Sequence, residues 1–396
     1  MGTVADERIV VHDVSGSGDR IDATISLPDF NATVSYELGG IEAAADEEGL
    51  AVLLLPIAMS RGWAIEVPAQ VSPRLRSGIA TAQEILGTWY PGWQPVDIHA
   101  RSPRTSQDGR RGERRGAACF FSGGVDSFYS VLRHREQLSA LIFVHGFDVL
   151  PSEAGRRREI ARSLRAAADE LGLDLVEVRT DVKLLTRRYC RWGPEAHGAA
   201  LASIGLQMPA RFETILIPAS HSYRDLDAWG SHPILDPCWS SDAVEFVHEG
   251  PIPRPQKMAT IAGSDAALRH LRVCYQKRID RPNCGRCEKC LRTMIGLRLV
   301  GALDRCATLP NEIPLRDVAM IPIKDESTRA FAQENLEAAE AAGEIAIARA
   351  LRVALRVGPK RARLGELKAR LDRPGHDRLS RLLARRRRRR RARRSR

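Results

Sequence analysis

The sequence predicts an α/β protein whose main part is a doubly wound parallel sheet, preceded by a smaller strand-rich domain. Three observations predict this class. Strand and helix patterns alternate from Ala117 onward, which is typical of a parallel sheet covered by helices on both faces. A turn of small residues follows the first of these strands. Residues 1–100 instead contain β-branched or alternating stretches separated by Gly, Asp and Pro, as in strands joined by turns.

Residues 1–100 are expected to fold as a domain of their own, without a visible catalytic constellation. The predicted strands are Ile9–Val14, Ile21–Leu27, Ala32–Leu38 and Leu50–Ile57. A helix is expected at about 73–86 and a short strand at 95–98. Residues 101–116 are polar and rich in Arg, Gly and Ser, so they indicate an exposed linker.

Residues 117–310 are expected to form the main domain. Its predicted elements after the first strand are a strand at 141–144, a helix at 152–171, a strand at 173–179, a helix at 198–208 and a strand at 214–219. Ligands of such sheets bind outside the carboxyl ends of the strands. We therefore expect residues 122–127, Asp148, Asp181 and residues 220–223 along one rim. Residues 311–384 are charged and predicted to be helical.

The net charge of +12 is concentrated at one end of the chain. Residues 385–396 contain ten arginines, and without them the chain has 51 basic and 49 acidic residues. Such a run repels itself and is predicted to be disordered. Its functional interpretation is contact with a polyanion such as RNA, DNA or an anionic membrane surface. The alternative is a solvated terminus without a selected role.

The remaining composition favours a cytoplasmic protein without a membrane span. Hydrophobic residues at 43% and charged residues at 28% are typical of a globular protein. The start is acidic and lacks the apolar segment of a signal peptide, and no apolar run approaches the ~20 residues of a membrane helix. Eight cysteines are too few for a disulfide scaffold of this size, so a reducing compartment is expected.

The turn Ser122-Gly123-Gly124-Val125-Asp126-Ser127 is the most informative motif. A strand, a tight turn and a helix start together build an anion site, because backbone N–H groups and the positive helix end point at the same place. Glycine lets the backbone approach a phosphate closely. The chain has no G-x-x-x-x-G-K-[ST] motif, which excludes a Walker A loop. The alternative is an ordinary βα turn built from small residues.

Four cysteines form a C-x9-C-x2-C-x2-C pattern at Cys274, Cys284, Cys287 and Cys290. Four thiolates at this spacing predict a closed, tetrahedral, structural zinc site. Nearby Arg286, Lys289 and Arg292 would offset its negative charge. An iron–sulfur cluster is the main rival, but the Cys-Pro that continues the ferredoxin pattern is missing here. Buried unpaired cysteines are the remaining alternative.

The six-residue turn resembles the loop of the PP-loop ATP pyrophosphatases, and together with the cysteine module it resembles the 7-cyano-7-deazaguanine synthase family. The resemblance covers about 117–302 and is specific at the turn and at residues 284–292. It implies that residues 122–127 bind the phosphates of ATP with Mg²⁺, and that the cysteines hold Zn²⁺. It also implies an HUP-like sheet and a reaction that releases AMP and pyrophosphate. Lys257, in Pro-Gln-Lys-Met-Ala, matches the family's lysine before the zinc module.

Three residues are therefore candidate catalytic groups: Asp126, Ser127 and Lys257. Asp126 is expected to orient the magnesium shell, the hydroxyls of Ser122 and Ser127 to contact phosphate, and Lys257 to neutralise charge near the α-phosphate. The alternative for Lys257 is a surface lysine on a helix.

The chain departs from the synthases in ways that leave the substrate open. It has an N-terminal domain and an arginine tail, and His145-Gly146-Phe147-Asp148 replaces the family's Asp-Tyr-Gly-Gln. Residues 220–242 are the candidate substrate lid. Its polar candidates are His221, Tyr223, Arg224, Asp225, His232 and Asp236. The alternative is a loop whose aromatic side chains cover the edge of the sheet.

The predicted function is ATP-dependent adenylation of a carboxylate or carbonyl oxygen on a small molecule or nucleobase, followed by amide or nitrile formation. Two alternatives remain. One is a tRNA-modifying enzyme of the thiolation type, which usually needs catalytic cysteines outside a closed metal site. The other is a non-enzymatic nucleotide-binding partner in a multi-protein pathway, against which the intact Asp126 and Ser127 argue.

Overall fold

The structure is a computed structural model, and it describes residues 7–102, 115–149, 153–276 and 282–371. Ten strands of this part form one mixed, mostly parallel sheet. The strands are β1 (Arg8–Ser17), β2 (Arg20–Leu27), β3 (Phe30–Glu37), β4 (Ala64–Ala69), β5 (Ile98–Ser102), β6 (Gly116–Phe120), β7 (Leu138–His145), β8 (Asp174–Thr180), β9 (Phe212–Pro218) and β10 (Glu245–Glu249). The protein is therefore an α/β protein, as the sequence predicts.

Helices separate and follow these strands, the first of them coming after β3. They are α1 (Glu47–Arg61), α2 (Pro73–Trp89), α3 (Val125–Arg133), α4 (Ala154–Leu171), α5 (Val182–Tyr189), α6 (His197–Gly205), α7 (Arg254–Ala262), α8 (Asp265–His270), α9 (Glu288–Leu299), α10 (Leu315–Ala319), α11 (Glu326–Ala341) and α12 (Ile345–Leu371). In this described part, no helix has the length and apolar character needed to cross a membrane.

The strand order is β10-β9-β6-β7-β8-β3-β2-β1-β4-β5. From β6 the chain passes outward to β7 and β8 on one side and later to β9 and β10 on the other, and all four of these pairings are parallel. The turn after β6 therefore lies where the strand order reverses, which is the usual ligand position in such sheets.

Both faces of the sheet are covered. Successive residues of a strand point to opposite faces, and Ala118 and Phe120 of β6 join one apolar cluster while Cys119 and Phe121 join another. The first cluster contains α1 and α6, and the second contains α3, α4 and α9. The near-continuous apolar run at 117–121 is explained by this two-sided burial.

The strands of residues 1–100 belong to the same sheet as those of the later part. β3 pairs antiparallel with β8, with Tyr36 opposite Thr180 and Glu37 opposite Arg179. Helix α1 packs on α6 within one apolar cluster. Most of the predicted linker, at 103–114, and the arginine run at 385–396 lie outside the described residues.

The predicted strand at Leu50–Ile57 is wrong, because these residues lie in α1. The Asp46 side chain accepts a hydrogen bond from the Glu48 N–H and caps the helix, and every residue from Leu50 to Met59 is buried. A short apolar run buried on all sides has no periodicity that separates helix from strand. The capping residue at Asp46 was the signal that favoured a helix.

Most other predicted elements are confirmed within a few residues. The strands predicted in the first 40 residues correspond to β1–β3, and those at 141–144, 173–179 and 214–219 correspond to β7, β8 and β9. The helices predicted at 152–171 and 198–208 are α4 and α6. The strand predicted at 95–98 begins only at Ile98, and β10 was not predicted.

Candidate active site and metal centre

The turn after β6 is shaped by a glycine in the left-handed region and by contact with a later segment. Gly123 has φ +73°, and a Cβ there would lie 2.8 Å from Cδ2 of Leu164. The Gly123 carbonyl accepts a 2.7 Å hydrogen bond from the Arg272 N–H, and the Arg272 guanidinium donates to the Ser122 carbonyl at 3.1 Å. The turn is thus held from outside by the segment that precedes the cysteines.

The Ser127 hydroxyl is engaged inside the turn. Its oxygen accepts from the Gly124 N–H at 3.1 Å and donates to the Gly124 carbonyl at 3.1 Å, and the side chain is buried. The Ser122 N–H also points at this oxygen, at 3.4 Å. Ser127 therefore shapes the turn, and its predicted contact with phosphate stays a prediction.

Asp126, in the first turn of α3, is surrounded by positive charge. Lys257 Nζ lies 3.0 Å from Asp126 Oδ1, and the Arg254 guanidinium lies 3.4 Å from both carboxylate oxygens. Burial raises the pKa of Asp126, but the charges of Lys257 and Arg254 outweigh it and hold that pKa well below its usual range. The carboxylate is therefore ionised at neutral pH.

Lys257 is a buried residue, so the alternative of a surface lysine is wrong. It is 1% exposed, and its Nζ also donates to the Ala219 carbonyl at 2.5 Å. α7 places it there because Arg254 and Lys257, three residues apart, lie on the same face of that helix.

A cavity of about 280 Å³ opens in front of the turn. Its lining includes Ser122, Gly124, Val125, Asp126 and Ser127, so the predicted phosphate loop faces it directly. Positive side chains outnumber negative ones in this lining. The positive residues are Arg156, Arg254, Arg272, Lys289 and Arg292, and the negative ones are Asp126 and Asp148. The cavity therefore suits an anionic ligand.

Aromatic rings form another part of the cavity lining. The rings of Phe147 and Trp192 lie 4.6 Å apart, and the His197 ring lies 5.5 Å from Trp192. Lys183 Nζ sits 4.5 Å over the Trp192 ring. Burial lowers the pKa of His197, which keeps its imidazole neutral at neutral pH. This aromatic lining suits a planar, uncharged group.

None of the six predicted substrate residues lines the cavity in front of the turn. Asp236 is fully buried, and its carboxylate is bound to His248 Nδ1 and the Ser231 hydroxyl, both at 2.7 Å. His232 is buried against the Trp89 ring, at 4.8 Å. For these two residues the structure agrees with the alternative of packing at the sheet edge.

The other four predicted substrate residues lie on or near the surface. Tyr223 is 68% exposed, and Arg224 pairs with Glu337 at 3.0 Å. Asp225 accepts a hydrogen bond from the Ser222 hydroxyl at 2.8 Å. His221 and Asp225 line a separate, much smaller cavity that also contacts Arg254.

The four predicted metal ligands come together. The sulfur atoms of Cys274, Cys284, Cys287 and Cys290 all lie within 4.8 Å of one another, and all four residues are buried. The N–H groups of Arg286 and Cys287 point at the Cys284 sulfur, at 3.4 and 3.2 Å. Four clustered thiols with backbone N–H donors fit a tetrathiolate metal ion such as zinc.

The metal ligands are joined to the turn by a buried asparagine. The Asn283 side-chain oxygen accepts from the N–H groups of Val273 and Cys274, at 2.9 and 3.1 Å. Its amide nitrogen donates to the carbonyls of Leu271 and Thr308, at 2.8 and 3.3 Å. The segment 271–274 thus carries both a metal ligand and Arg272, which is hydrogen-bonded to the turn.

Several residues of this site were not predicted as site residues. Arg254, Arg272 and the aromatic lining belong to no motif, although Arg272 stands two residues before a predicted metal ligand. Phe331 of α11 contacts Arg254 and Arg292. It is too distant in sequence from the turn for residue spacing to predict this contact. Lys289 and Arg292, predicted to offset the charge of the metal centre, also line the cavity.

Comparison of the chain with known protein families, with curated proteins and with solved structures found no match. A function for this chain is therefore inferred from its residues and their arrangement.

Proposed function

We propose that this protein is an ATP-dependent adenylating enzyme of the PP-loop type, which cleaves ATP to AMP and pyrophosphate. The observation that carries the proposal is the Asp126 carboxylate beside the glycine turn, which is bound to Lys257 and Arg254 and faces a cavity rich in positive charge. A phosphate-binding turn needs such a setting, because its ligand is a polyanion and its metal ion needs an ionised carboxylate.

The residues present fit ATP and Mg²⁺. The N–H groups at the start of α3 would face the phosphates, whereas those of Ser122 and Gly124 are directed at the Ser127 hydroxyl. Asp126, ionised at neutral pH, would hold the magnesium shell. Magnesium supplies charge neutralisation of the phosphates when bound. Arg254, which lines the cavity, would neutralise the charge that develops on the leaving pyrophosphate, and Lys257, bound to Asp126, would add positive charge behind that carboxylate.

In the proposed reaction a substrate carboxylate or carbonyl oxygen attacks the α-phosphorus of ATP. The bond between the α-phosphorus and the bridging oxygen to the β-phosphate breaks, and pyrophosphate leaves with that electron pair. Ammonia or another nucleophile then displaces AMP from the activated carbon. Catalysis here would come mainly from positioning and charge neutralisation.

The acceptor would lie against Phe147, Trp192 and His197. These rings favour a flat group, which agrees with a nucleobase or a related heterocycle. Zinc would hold the Cys274 segment in place as a structural ion, as in the 7-cyano-7-deazaguanine synthase family that the motifs resemble.

Thiolation of a tRNA base is the less favoured function. That chemistry usually uses catalytic cysteines near the nucleotide. Among the described residues that line the cavity, the one cysteine is Cys274, which belongs to the metal cluster.

The direct test is product analysis with α-labelled and, in parallel, γ-labelled ATP, Mg²⁺ and a panel of acceptors, because the first label follows AMP and the second follows pyrophosphate. The panel contains a deazaguanine carboxylate with ammonia, other planar carboxylates, and bulk tRNA. We expect AMP and pyrophosphate in equal amounts, dependent on acceptor and lost in Asp126→Asn. Formation of ADP and phosphate, or full activity of Asp126→Asn, would contradict the proposal.

A further inference from the structure

The ring of Phe331 in α11 contacts two guanidinium groups and the imidazole ring of His221. The Arg292 guanidinium carbon lies 3.9 Å from the centre of its ring, and that of Arg254 lies 5.6 Å away. The His221 ring is stacked on it at 5.6 Å with an interplanar angle of 19°. An aromatic face attracts cations, so the ring stabilises both guanidinium groups.

The two arginines need such a partner because both are buried and carry like charge. Arg254 is 7% exposed and Arg292 is 9% exposed, and both line the cavity in front of the turn. Holding two guanidinium groups here costs free energy that the Phe331 ring partly offsets.

The arginines also retain unused hydrogen-bonding capacity. Each has a buried Nε without a hydrogen-bond partner among the described residues. Their ion pairs are loose, at 3.4 Å from Arg254 to Asp126 and 3.4 Å from Arg292 to Glu288. Buried donors normally have acceptors, so this pair of arginines is built to take an anion.

The position of the ring is fixed by the docking of α11. The Asn335 amide donates to the Arg292 carbonyl at 3.3 Å, and Glu337 pairs with Arg224 at 3.0 Å. Leu336 packs in the apolar cluster that contains Leu291 of α9. Helix α11 lies beyond 117–302, the part of the chain that carries the family resemblance.

We propose that Arg254, Arg292 and Phe331 form an anion subsite that binds the pyrophosphate end of the nucleotide, with Phe331 as its positioning residue. This inference rests on the proposed function for the identity of the anion. The C-terminal helical region is then part of the site, because it supplies the ring that holds both arginines in place.

The test is calorimetric binding of inorganic pyrophosphate to the full-length protein. Phe331→Leu removes the ring and keeps an apolar side chain, and we expect its affinity for pyrophosphate to fall about tenfold. Phe331→Tyr keeps the ring and is expected to bind nearly as wild type. The matched control is Phe30→Leu, which removes a ring 4.2 Å from Arg188 on the far part of the sheet and should leave binding unchanged.

Thermal melting of each variant separates loss of the subsite from loss of the fold. If Phe331→Leu unfolds, the Arg292→Lys variant tests the subsite instead, because it keeps the positive charge but loses the flat group that stacks on the ring. Its affinity for pyrophosphate should fall to a similar degree. Wild-type protein that does not bind pyrophosphate, or folded variants that bind it as wild type does, would overturn the inference. If pyrophosphate binding depends on the ring but no AMP is formed, the subsite is supported and only the proposed adenylating function is contradicted.

Discussion

Lys257 Nζ lies 3.0 Å from Asp126 Oδ1, although 131 positions separate the two residues in the chain. The pair connects α7 to the first turn of α3, and Arg254 lies beside it. Because Lys257 is also bound to the Ala219 carbonyl, it joins the carboxyl end of β9 to the turn after β6. The pair therefore has a structural role as well as the proposed catalytic one.

Lys257→Met is expected to lower the free energy of unfolding by about 3 kcal/mol, because it leaves a largely buried carboxylate with one loose partner. It should also abolish AMP formation. Urea unfolding and product analysis measure the two effects. Lys360→Met, on the exposed surface of α12, is the control and should change neither. Unchanged stability of Lys257→Met would show that the pair contributes little to the fold.

Cys287→Ser is expected to lose the metal and to give insoluble or readily proteolysed protein. Metal affinity at a closed tetrathiolate site is folding free energy, and one serine cannot replace a thiolate ligand. Elemental analysis of wild type should find one zinc per chain. Cys306→Ser changes a buried cysteine outside the cluster, so it controls for the loss of a thiol as such. Iron with a brown colour, or metal-free stable wild type, would contradict the zinc prediction.

Gly123→Ala is expected to cost about 1–2 kcal/mol of stability because a Cβ is strained at positive φ. The new Cβ would also press on Leu164, which lies 2.8 Å from its ideal position. Since the turn would shift, we expect weaker ATP binding in calorimetry. Gly124→Ala is the paired comparison: its φ is −85° and its nearest contact is 3.3 Å, so a smaller loss of stability is expected.

Asn283→Ala is expected to cost at least about 2 kcal/mol, because it leaves buried backbone N–H and carbonyl groups without partners. It should weaken metal retention and ATP binding together, since segment 271–274 serves both. Zinc release under a chelator and ATP calorimetry measure the two. The exposed Asn31→Ala is the control. Loss of metal with ATP binding intact would show that the turn does not depend on this segment.

The protein is expected to lose stability as the pH falls below about 6.5, the ordinary pKa of histidine. Burial lowers the pKa of His145, His197, His221 and His232 in the folded chain. The unfolded chain then binds more protons in this range, so acid favours unfolding. Thermal melting at about pH 5.5 and 7.5 measures the effect. His145→Gln should reduce the difference, whereas the exposed His12→Gln should not.

Local patterns predicted much of the sheet. β7, β8 and β9 were visible because short apolar strands alternate with amphipathic helices, and the cysteine cluster was visible because its ligands lie within 17 residues of sequence, Cys274 to Cys290. The partners of Asp126 were not visible in the same way. Arg254 and Phe331 reach the site through packing of α7 and α11, and no spacing rule connects residues so far apart.

The predicted substrate residues show the opposite error. His232 and Asp236 follow a strand at the ligand-binding edge, which made them candidates, yet both side chains turn into the protein. One carboxylate oxygen of Asp236 is bound there by His248 Nδ1, at 2.7 Å. The position of a residue in the sequence predicts that it lies near this edge of the sheet. It does not predict the direction of its side chain within an irregular loop.

The pairing of β3 with β8 determines what happens when the chain is shortened at its N-terminal part. A shortened chain without residues 1–100 would leave β8 as a bare edge strand and strip α1 from the apolar surface of α6. Both are surfaces through which copies of a protein associate irreversibly. The two parts are therefore expected to need each other, and a chain cut between them is expected to aggregate.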